Sequence, residues 1–365
     1  MLNKNRVVVG MSGGVDSSVA AHQLKEAGYE VIGIFMKLWD DGSPDYVEKE
    51  GGCCSLSAAE DARRVAASLD IPFYVINFRE IFQDTVIDYF VHEYELGRTP
   101  NPCIACNKHV KFDALLNKAH QLGAYYVATG HYAKIEKNPE TDRYIMKMSN
   151  EAKKDQTYML YNLTQFQLEH MLTPLGDFSS KEEVRKIAEQ LDLDVSVKRD
   201  SQEICFIPDD DYAKFVTENT DKEMGPGKFV DTEGNILGDH KGIIYYTVGQ
   251  RKGLGITFGK PMYVVEIRPQ TNEVVLGSNK EVFSQGLIAD QVNFIPFDDL
   301  EGPIQAQGKV RYSSRTSPCT IKKVGDDQVE VIFDDMQRAV TPGQAVVFYQ
   351  DDLLIGGGTI LNAIQ

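Results

Sequence analysis

A glycine- and serine-rich turn near the N-terminus has the residue types needed to bind phosphate. Residues 12–18 (SGGVDSS) follow a short β-branched run and open a stretch with helical spacing. Glycine lets the backbone approach an anion, and a helix N-terminus offers N–H groups and a positive dipole end. Ser12, Ser17 and Ser18 add hydroxyl donors, whereas Asp16 would repel a phosphate and suits Mg²⁺. The segment lacks the lysine of loops that transfer a γ-phosphate, so it predicts a different use of a nucleotide.

Thiols form the second group of candidate residues. Cys103 and Cys106 lie in residues 97–107 (GRTPNPCIACN), whose two prolines predict a rigid loop outside regular structure. We expect Asn107 to cap the following helix, which places Cys106 near a helix N-terminus, where the pKa of a thiol falls. Cys205 follows a polar turn in an apolar setting. The six cysteines, too few for a disulfide framework in a reducing compartment, indicate metal or redox chemistry: Cys53, Cys54, Cys103, Cys106, Cys205 and Cys319.

Each thiol also has a simpler interpretation. Cys205 alone would be a small buried side chain. Cys103 and Cys106 would be half of a zinc site, but the chain has no second CxxC pair, and adjacent Cys53 and Cys54 suit one tetrahedral centre poorly.

The overall charge counts against a nucleic-acid partner unless basic residues gather locally. The net charge is −16 over 365 residues, and a phosphate backbone needs a basic footprint. Small basic clusters exist, each of which is a local contact or a solvated surface: Lys108/His109/Lys111, Lys153/Lys154, Lys198/Arg199, Arg251/Lys252 and Arg311/Arg315. No apolar run reaches the ~18 residues of a membrane span, and the N-terminus does not resemble a signal peptide. We expect a cytoplasmic protein without a membrane partner.

Strands and helices alternate in residues 1–135. Alternation of this kind predicts an α/β fold with a doubly wound parallel sheet, whose binding site lies at the carboxyl ends of the strands. We expect strands at residues 6–11, 30–36, 73–78 and 125–128, and helices at residues 15–27, 58–69, 81–96 and 110–122.

The remainder of the chain predicts two further domains. Residues 151–198 have helical character, and short alternating runs follow. We expect strands at residues 228–230, 242–246, 262–267, 274–276, 307–312, 319–324, 328–333 and 345–348. The predicted organisation is a nucleotide-binding catalytic domain at 1–205, a small central β-rich domain at 206–281 and a C-terminal β-barrel at 282–365.

The phosphate-binding segment resembles the pyrophosphate loop of ATP pyrophosphatases, whose members have an adenine-nucleotide α-hydrolase-like sheet. That family cleaves ATP between its α and β phosphates and transfers AMP to a substrate oxygen. Met36 and Gly130 would border the adenosine, although core packing also explains Met36. By this resemblance the residues that hold ATP are Gly10, Met11, Ser12, Gly13, Gly14, Val15, Asp16, Ser17, Met36 and Gly130.

A more specific resemblance covers essentially the whole chain. Residues 12–18, 97–107, 128–131, 154–156, 201–207, 249–255 and 341–344 occur in the order typical of bacterial-type tRNA-specific 2-thiouridylases. That family makes 2-thiouridine at the wobble position of tRNAs of the Lys, Glu and Gln type. The resemblance implies that Cys106 is the nucleophile and that Cys205 carries a persulfide loaded by an external donor protein. It also implies tRNA contacts at Asn101, Pro102, Cys103, His131, Lys154, Asp155, Gln156, Arg311, Tyr312 and Gln344.

One position departs from the family pattern. Some members have an aspartate, proposed as a general base, where this chain has Cys103. Cys103 would act as a base only with a lowered pKa. Alternatively, an iron–sulfur cluster on Cys103, Cys106 and Cys205 would leave one iron open for sulfide. We do not favour the cluster.

The implied reaction uses ATP and Mg²⁺. Adenylation turns the C2 oxygen of uridine into a leaving group, sulfur attacks C2, and the cycle ends in a Cys106–Cys205 disulfide that a reductant reopens. The base must leave its stack to react. Tyr245, Tyr246 and Tyr312 would either stack on RNA bases or pack in the core.

Two alternatives remain at this stage. An ATP-dependent ligase or amidotransferase of the same loop class explains residues 12–18 but leaves the thiols without a role. A zinc-stabilised RNA-binding module explains the thiols but not the loop. Only a sulfurtransferase uses both features.

Overall fold

The structure is a computed structural model that describes residues 2–39, 56–193, 195, 204–207, 209–256 and 259–365. The chain forms two compact units, and each is built from separate segments. Unit 1 comprises Met1–Val86, Cys103–Asp210 and Asp352–Leu354, and unit 2 comprises Ile87–Pro102, Asp211–Asp351 and Ile355–Gln365.

A parallel five-stranded sheet lies at the centre of unit 1. Its strands are β1 (Asn3–Gly10), β2 (Glu30–Lys37), β3 (Phe73–Asn77), β4 (Ala124–Ala128) and β7 (Met171–Leu172), in the order β3-β2-β1-β4-β7. Each neighbouring pair runs parallel. Val7, Val8 and Val9 of β1 are fully buried, as expected for a strand covered on both faces. The predicted doubly wound sheet is therefore confirmed.

Helical segments cover the sheet or belong to unit 2. Helices α1, α2 and α8 contribute buried side chains to one apolar core against β1 and β2. The helices are α1 (Val15–Glu26), α2 (Leu56–Ser68), α3 (Arg79–Phe82), α4 (Asp88–Glu95), α5 (Pro102–Ala105), α6 (Leu115–Gln121), α7 (Gln165–Glu169), α8 (Lys181–Gln190) and α9 (Tyr212–Asn219). Two π-helical segments cover Gln83–Ile87 and Cys106–Ala114, and 3₁₀ segments cover Thr157–Leu160, Ile243–Tyr245 and Asn279–Val282.

Three local predictions were wrong. Residues 102–107 are helical rather than a loop, because proline is favoured in the first turn of a helix, where its missing N–H costs nothing. Residues 151–180 alternate turns with short helices and the strand β7 instead of staying helical. Residues 243–245 form a 3₁₀ turn, not a strand, after Gly242, whose φ is +140°.

A hairpin completes unit 1. Strands β5 (Lys134–Lys137) and β6 (Tyr144–Lys147) pair antiparallel, and Leu353 and Leu354 add to β6. Neither strand of the hairpin was predicted.

Unit 2 contains a small sheet and a closed barrel. The small sheet has the order β10-β11-β8-β9, with β8 (Gly227–Asp231), β9 (Ile236–His240), β10 (Tyr263–Arg268) and β11 (Glu273–Gly277). The barrel strands follow the order β12-β15-β14-β13-β16-β17, and β12 also pairs with β17. They are β12 (Phe283–Phe294), β13 (Ile304–Lys309), β14 (Ser317–Gly325), β15 (Gln328–Arg338), β16 (Ala345–Gln350) and β17 (Leu353–Ile364). The predicted β-rich centre and C-terminal barrel are confirmed.

None of the described helices has the length and apolar character needed to cross a bilayer.

Candidate active site

The carboxyl ends of three adjacent strands bring together the residues predicted to hold ATP. β1 ends at Gly10, β2 carries Met36 near its end, and β4 leads into Thr129. A Cβ atom placed on Gly10 would lie 3.7 Å from both Met36 Cε and Thr129 Cγ2. These positions therefore form one surface at the edge of the sheet where α/β proteins bind ligands.

The predicted phosphate loop, residues 12–18, is stabilised by hydrogen bonds of its own serine hydroxyl groups. Ser17 Oγ accepts from the Ser12 amide at 3.1 Å and donates to the Gly14 carbonyl at 3.1 Å. Ser18 Oγ donates to the same carbonyl at 2.9 Å, and Ser18 is fully buried. Ser18 thus fixes the loop and does not offer its hydroxyl to a phosphate, contrary to our expectation. Gly14 begins α1 without a side-chain cap, so the first turn presents backbone N–H groups to an anion.

Two glycines allow other elements to approach the loop closely. Gly13 has a φ of +67°, and a side chain there would collide with the Ala58 carbonyl of α2. A Cβ atom on Gly130 would lie 2.7 Å from the Asp16 carbonyl carbon and 2.8 Å from the Ser17 nitrogen. Gly130 therefore lies directly against the loop backbone. Met11 and Val15, predicted with the loop, are buried beneath it at 1% and 3% exposure.

Asp16 has two partners that the sequence did not reveal. Lys181 Nζ lies 2.6 Å from both carboxylate oxygens, and Tyr132 Oη donates to Oδ1 at 2.8 Å. The Lys181 side chain is only 8% exposed. A lysine at the first position of a helix opposes the helix dipole, and this unfavourable placement after the N-cap Ser180 was the available sequence signal.

The segment at residues 154–156 is hydrogen-bonded to the backbone of Tyr132, which is one of the two partners of Asp16. Gln156 Oε1 accepts from the Tyr132 amide at 3.0 Å, and the Gln156 amide donates to the Tyr132 carbonyl at 3.0 Å. Asp155 is buried, and it accepts from the Ser149 amide and the Thr157 hydroxyl. The Asp155 and Gln156 side chains therefore both have structural partners. Lys154 is half-buried.

His131 is buried next to the same surface. Its Nδ1 lies 2.6 Å from Thr129 Oγ1, and its ring packs against Phe112. Burial, together with the charge of Lys111, holds the pKa of His131 well below the usual value for histidine. The imidazole is therefore neutral at physiological pH.

Cys103 and Cys106 lie in a helical run that starts at Pro102. Cys103 occupies the first turn and is exposed, whereas Cys106 is 8% exposed and begins a π-helical segment. We expected Asn107 to cap this helix, but it does not. Its amide Nδ2 donates instead to the Met159 carbonyl at 3.0 Å. The helix N-terminus therefore acts on Cys103 more directly than on Cys106.

Cys205 is connected to the Cys106 region through α3. Phe206 packs edge-to-face on Phe82 of α3, with ring centroids 5.7 Å apart. Helix α3 also contacts the π-helical segment that begins at Cys106. Both segments that carry the proposed reactive thiols thus pack on one short helix of unit 1.

Other sequence candidates lie outside the described residues. These are Cys53, Cys54, Lys198, Arg199 and residues 201–203. Within the described ranges, no group of three or more His, Cys, Asp or Glu side chains is placed to hold a metal ion.

Unit 2 contains the remaining predicted tRNA contacts. Arg311 donates to the Arg338 carbonyl at 2.9 Å, and Gln344 donates to the carbonyl of Thr99 at 2.7 Å. Asn101 is half-buried and Pro102 is buried. Tyr312 is 39% exposed, with Lys309 Nζ 5.3 Å from its ring centroid.

Tyr245 and Tyr246, the other two candidates for base stacking, differ in their burial. Tyr246 packs in the core against Phe229 and His240, so it does not stack on RNA. Tyr245 is half-buried, and Lys241 Nζ lies 3.9 Å from its ring centroid.

Three family models match successive parts of the chain. They are described as a tRNA methyl transferase HUP domain at residues 5–209, a tRNA methyl transferase PRC-barrel domain at 213–278 and an aminomethyltransferase β-barrel domain at 284–360.

Relatives match over the full length. The tRNA-specific 2-thiouridylase of Clostridioides difficile is 60% identical over 100% of both chains. That of Clostridium perfringens is 56% identical, over 98% of this chain and 99% of the relative. That of Lachnoclostridium phytofermentans is 58% identical, with the same coverage. With a phosphate loop and two thiol segments in one unit, this chain belongs to the tRNA-specific 2-thiouridylase family.

Proposed function

We propose that this chain catalyses the ATP-dependent 2-thiolation of the wobble uridine of tRNA, and thus acts as a tRNA-uridine 2-sulfurtransferase in the cytoplasm. The observation that carries the proposal is the combination within unit 1 of the phosphate loop with Cys106 and Cys205, whose segments both pack on α3. A ligase or amidotransferase of the same loop class has no use for this pair of thiols.

The first step activates the substrate. The C2 oxygen of uridine attacks the α-phosphorus of ATP, the bond to the β-phosphate oxygen breaks, and pyrophosphate leaves. The N–H groups at the start of α1 and the buried ammonium of Lys181 stabilise the charge on the departing phosphates. Gly130, which lies against the loop backbone because it has no side chain, would border the adenosine.

Asp16 is our candidate Mg²⁺ ligand, because carboxylate oxygen suits this ion. Its carboxylate already accepts from Lys181 and Tyr132. Asp16 would therefore bind Mg²⁺ only if the ammonium of Lys181 leaves the carboxylate and pairs with the phosphates of ATP. Bound Mg²⁺ would neutralise phosphate charge during adenylation.

The second step transfers sulfur. Cys205 carries a persulfide supplied by an external donor protein, and its terminal sulfur either attacks C2 directly or is released by Cys106 as hydrosulfide that attacks C2. AMP leaves from C2, Cys106 bonds to the inner sulfur of Cys205, and the bond between the two persulfide sulfurs breaks. An external dithiol then reduces the Cys106–Cys205 disulfide, so that two thiols are restored.

Cys103 is our candidate for contact with the target base, together with Asn101 and Pro102. It is exposed in the first turn of a helix, where a thiolate is stabilised. An iron–sulfur cluster on Cys103, Cys106 and Cys205 is the less favoured variant of this site. Iron and sulfide analysis of anaerobically purified protein distinguishes the two.

The tRNA partner would contact both units. In unit 2 the exposed ring of Tyr312 beside Lys309 suits base stacking next to a phosphate, and Arg311 is a further candidate. Gln344 is a weaker candidate for tRNA contact, because its Nε2 already donates to the Thr99 and Pro100 carbonyls. In unit 1 the candidates are His131 and residues 154–156. By family resemblance we propose tRNAs of the Lys, Glu and Gln type.

The test is a reconstituted thiolation assay. Anaerobic protein is incubated with unmodified tRNA, ATP, Mg²⁺, a cysteine-persulfide donor and a dithiol reductant, and the digested nucleosides are identified by mass spectrometry. ATP-dependent 2-thiouridine supports the proposal. Release of AMP without any thiolated nucleoside contradicts it and favours the ligase or amidotransferase.

A pair of cysteine variants tests the thiol assignment. With a persulfide donor, Cys205→Ser should abolish thiolation while ATP binding is retained. Cys319→Ala is the control, because Cys319 is fully buried in the barrel and burial raises the pKa of its thiol to about 12. Thiolation by Cys205→Ser at the unmodified rate would remove Cys205 from the mechanism.

A further inference from the structure

The turn between β15 and β16 holds the segment that leads into Asn101 and Pro102. The Thr99 amide donates to the Pro342 carbonyl at 2.9 Å. Gln344 Nε2 donates to the Thr99 carbonyl at 2.7 Å and to the Pro100 carbonyl at 3.3 Å. All of these residues belong to unit 2. The two protons of one amide group therefore serve two consecutive carbonyls.

The approach of the two segments is close enough to restrict residue type. Gly343 has a φ of +88°, and a Cβ atom there would lie 2.9 Å from the Thr99 nitrogen and 3.0 Å from Arg98 Cβ. At the start of the segment, a Cβ atom on Gly97 would lie 2.8 Å from Ile267 Cγ2. Both ends of this contact thus need glycine, because any side chain would push the segment away.

The small sheet region binds the same segment from another side. Thr99 Oγ1 lies 3.3 Å from Thr247 Oγ1, and the Thr247 amide donates to Gln250 Oε1 at 3.0 Å. Arg338 of the barrel in turn donates to the Gly249 carbonyl at 3.3 Å. Residues 97–100 are therefore fixed by both parts of unit 2.

We propose that Gln344 is a positioning residue for sulfur transfer, which sets the backbone conformation of Thr99 and Pro100 and thereby the path of the chain that continues into Asn101, Pro102 and Cys103. The inference rests on the proposed function. Both N–H groups of the Gln344 side chain donate to backbone carbonyls. We therefore expect Gln344 to affect mainly the rate of the chemical step and not the affinity for tRNA. Catalytic groups need near-attack geometry, and a displacement of about 1 Å costs on the order of 100-fold in rate.

The sharpest variant is Gln344→Glu, because it keeps the side-chain length but points acceptor oxygens at two carbonyls. Gln344→Leu removes the donors without adding charge. The matched control is Gln350→Glu, since Gln350 is exposed and makes the same kind of bond, from Nε2 to the Gln305 carbonyl at 2.8 Å, in the same barrel.

Two measurements separate positioning from tRNA contact. In single-turnover thiolation, we expect both Gln344 variants to lose about 10- to 100-fold in rate, with the Kd for tRNA within about threefold of the parent, and Gln350→Glu to be unchanged. Without tRNA or ATP, we expect the alkylation rate of exposed Cys103, measured by mass spectrometry, to change in the Gln344 variants only.

The outcomes are distinguishable from failure of the proposed function. If the parent protein makes no 2-thiouridine, the function fails, while the alkylation measurement still tests the positioning of Cys103. If the parent is active and the Gln344 variants raise only the Kd for tRNA, or change neither the rate nor the alkylation, the positioning role is overturned. A variant that does not fold, judged by its circular dichroism, is replaced by the other.

Discussion

At the scale of single residues, Asp16 of the phosphate loop is paired with a cation that lies 165 residues away in the sequence. The loop itself has no lysine, and Lys181 brings a positive charge beside it from the first position of α8. Glu182 and Glu183 follow Lys181 in the same turn, so the sequence resembles an ordinary capped helix. The contact of Lys181 with Asp16 is tertiary, and its local signal, a lysine at the start of a helix, is weak.

Replacement of Lys181 should weaken the use of ATP. Lys181→Met keeps an unbranched apolar stem but removes a charge-assisted contact of about 1.5–3 kcal/mol. We therefore expect kcat/KM for ATP to fall by roughly 10- to 150-fold, measured as pyrophosphate released with tRNA saturating. Lys186→Met, an exposed position on the same helix, is the control. An unchanged kcat/KM in Lys181→Met would show that the ammonium serves only the fold.

Two glutamates on α4 should affect stability in opposite directions. Glu93 is 6% exposed, and its Oε2 is buried without a hydrogen-bond partner. Burial raises the pKa of Glu93 above the model-compound value of 4.5 despite nearby Arg98. For Glu95, burial also raises the pKa, but hydrogen bonds from Lys222 and Thr220 outweigh this and the net pKa is lowered.

The sign of the pH dependence follows from these shifts. As pH rises above 4.5, unfolded Glu93 loses its proton before the folded form does, so a destabilising contribution develops and is complete above the raised pKa. Glu93→Gln should raise Tm at pH 8 by about 2–4 °C, the change for ~1 kcal/mol, and the gain should shrink towards pH 4.5. Glu95→Gln should lower Tm at pH 8. A rise in the Tm of Glu93→Gln that is the same at all pH values would contradict the raised pKa of Glu93.

At the scale of elements, the helical run from Pro102 to Gln121 shows what periodicity misses. The sequence predicts a helix for its second half but a loop for its first half, which contains Pro102 and the thiols. A π-helical segment at Cys106–Ala114 shifts side chains away from the usual spacing, and such segments are frequent at functional sites. The displaced helix places Asn107 inside the fold, where it contacts Met159.

Removal of that contact should destabilise the helical run. Asn107 is 2% exposed, so Asn107→Ala leaves the Met159 carbonyl without its donor, at a cost of about 1–3 kcal/mol. Thermal unfolding should show a lower Tm, and amide exchange should increase at residues 106–114. Asn117→Ala, on the exposed face of α6 and bonded to Asp113, should change little. Equal losses in both variants would indicate general helix propensity instead.

Regular elements were predictable where burial and periodicity agreed. The strand at residues 6–11 and the helices at 15–27 and 58–69 match the structure within a few residues, because continuous apolar runs and glycine stops determine them locally. The hairpin β5–β6 was missed since its strands are short and polar, and residues 151–180 were misjudged because tertiary contacts such as those of Asp155 and Gln156 override helix propensity. Lys181 was missed because its partner Asp16 lies 165 residues away in the sequence.

At the scale of the whole molecule, an acidic protein is proposed to bind an acidic substrate. The net charge of −16 repels tRNA at long range, so the attraction must come from local contacts. Half-buried Lys309, exposed Tyr312 and exposed Arg315 are candidates for such a contact on the barrel.

The salt dependence of tRNA binding tests this picture. Each neutralised phosphate contributes a slope of about 0.7–0.9 to the plot of log Kd against log salt concentration. Arg315→Ala should reduce the slope by about one contact, as measured by filter binding at several salt concentrations. Arg268→Ala should not, because Arg268 is already paired with Glu266 and Glu273. If Arg315→Ala leaves the slope unchanged, the barrel residue does not meet the phosphate backbone.

The interleaved chain segments of unit 2 also determine when it can form during protein synthesis. Tyr94 stacks on Tyr212 with ring centroids 4.9 Å apart, and Phe90 packs against Phe215. These aromatic rings of α4 leave the ribosome before their partners on α9. At about 5–20 residues per second, they wait roughly 6–24 s for those partners. During that interval the nascent chain exposes an apolar helix face, which is a natural place for a chaperone to bind.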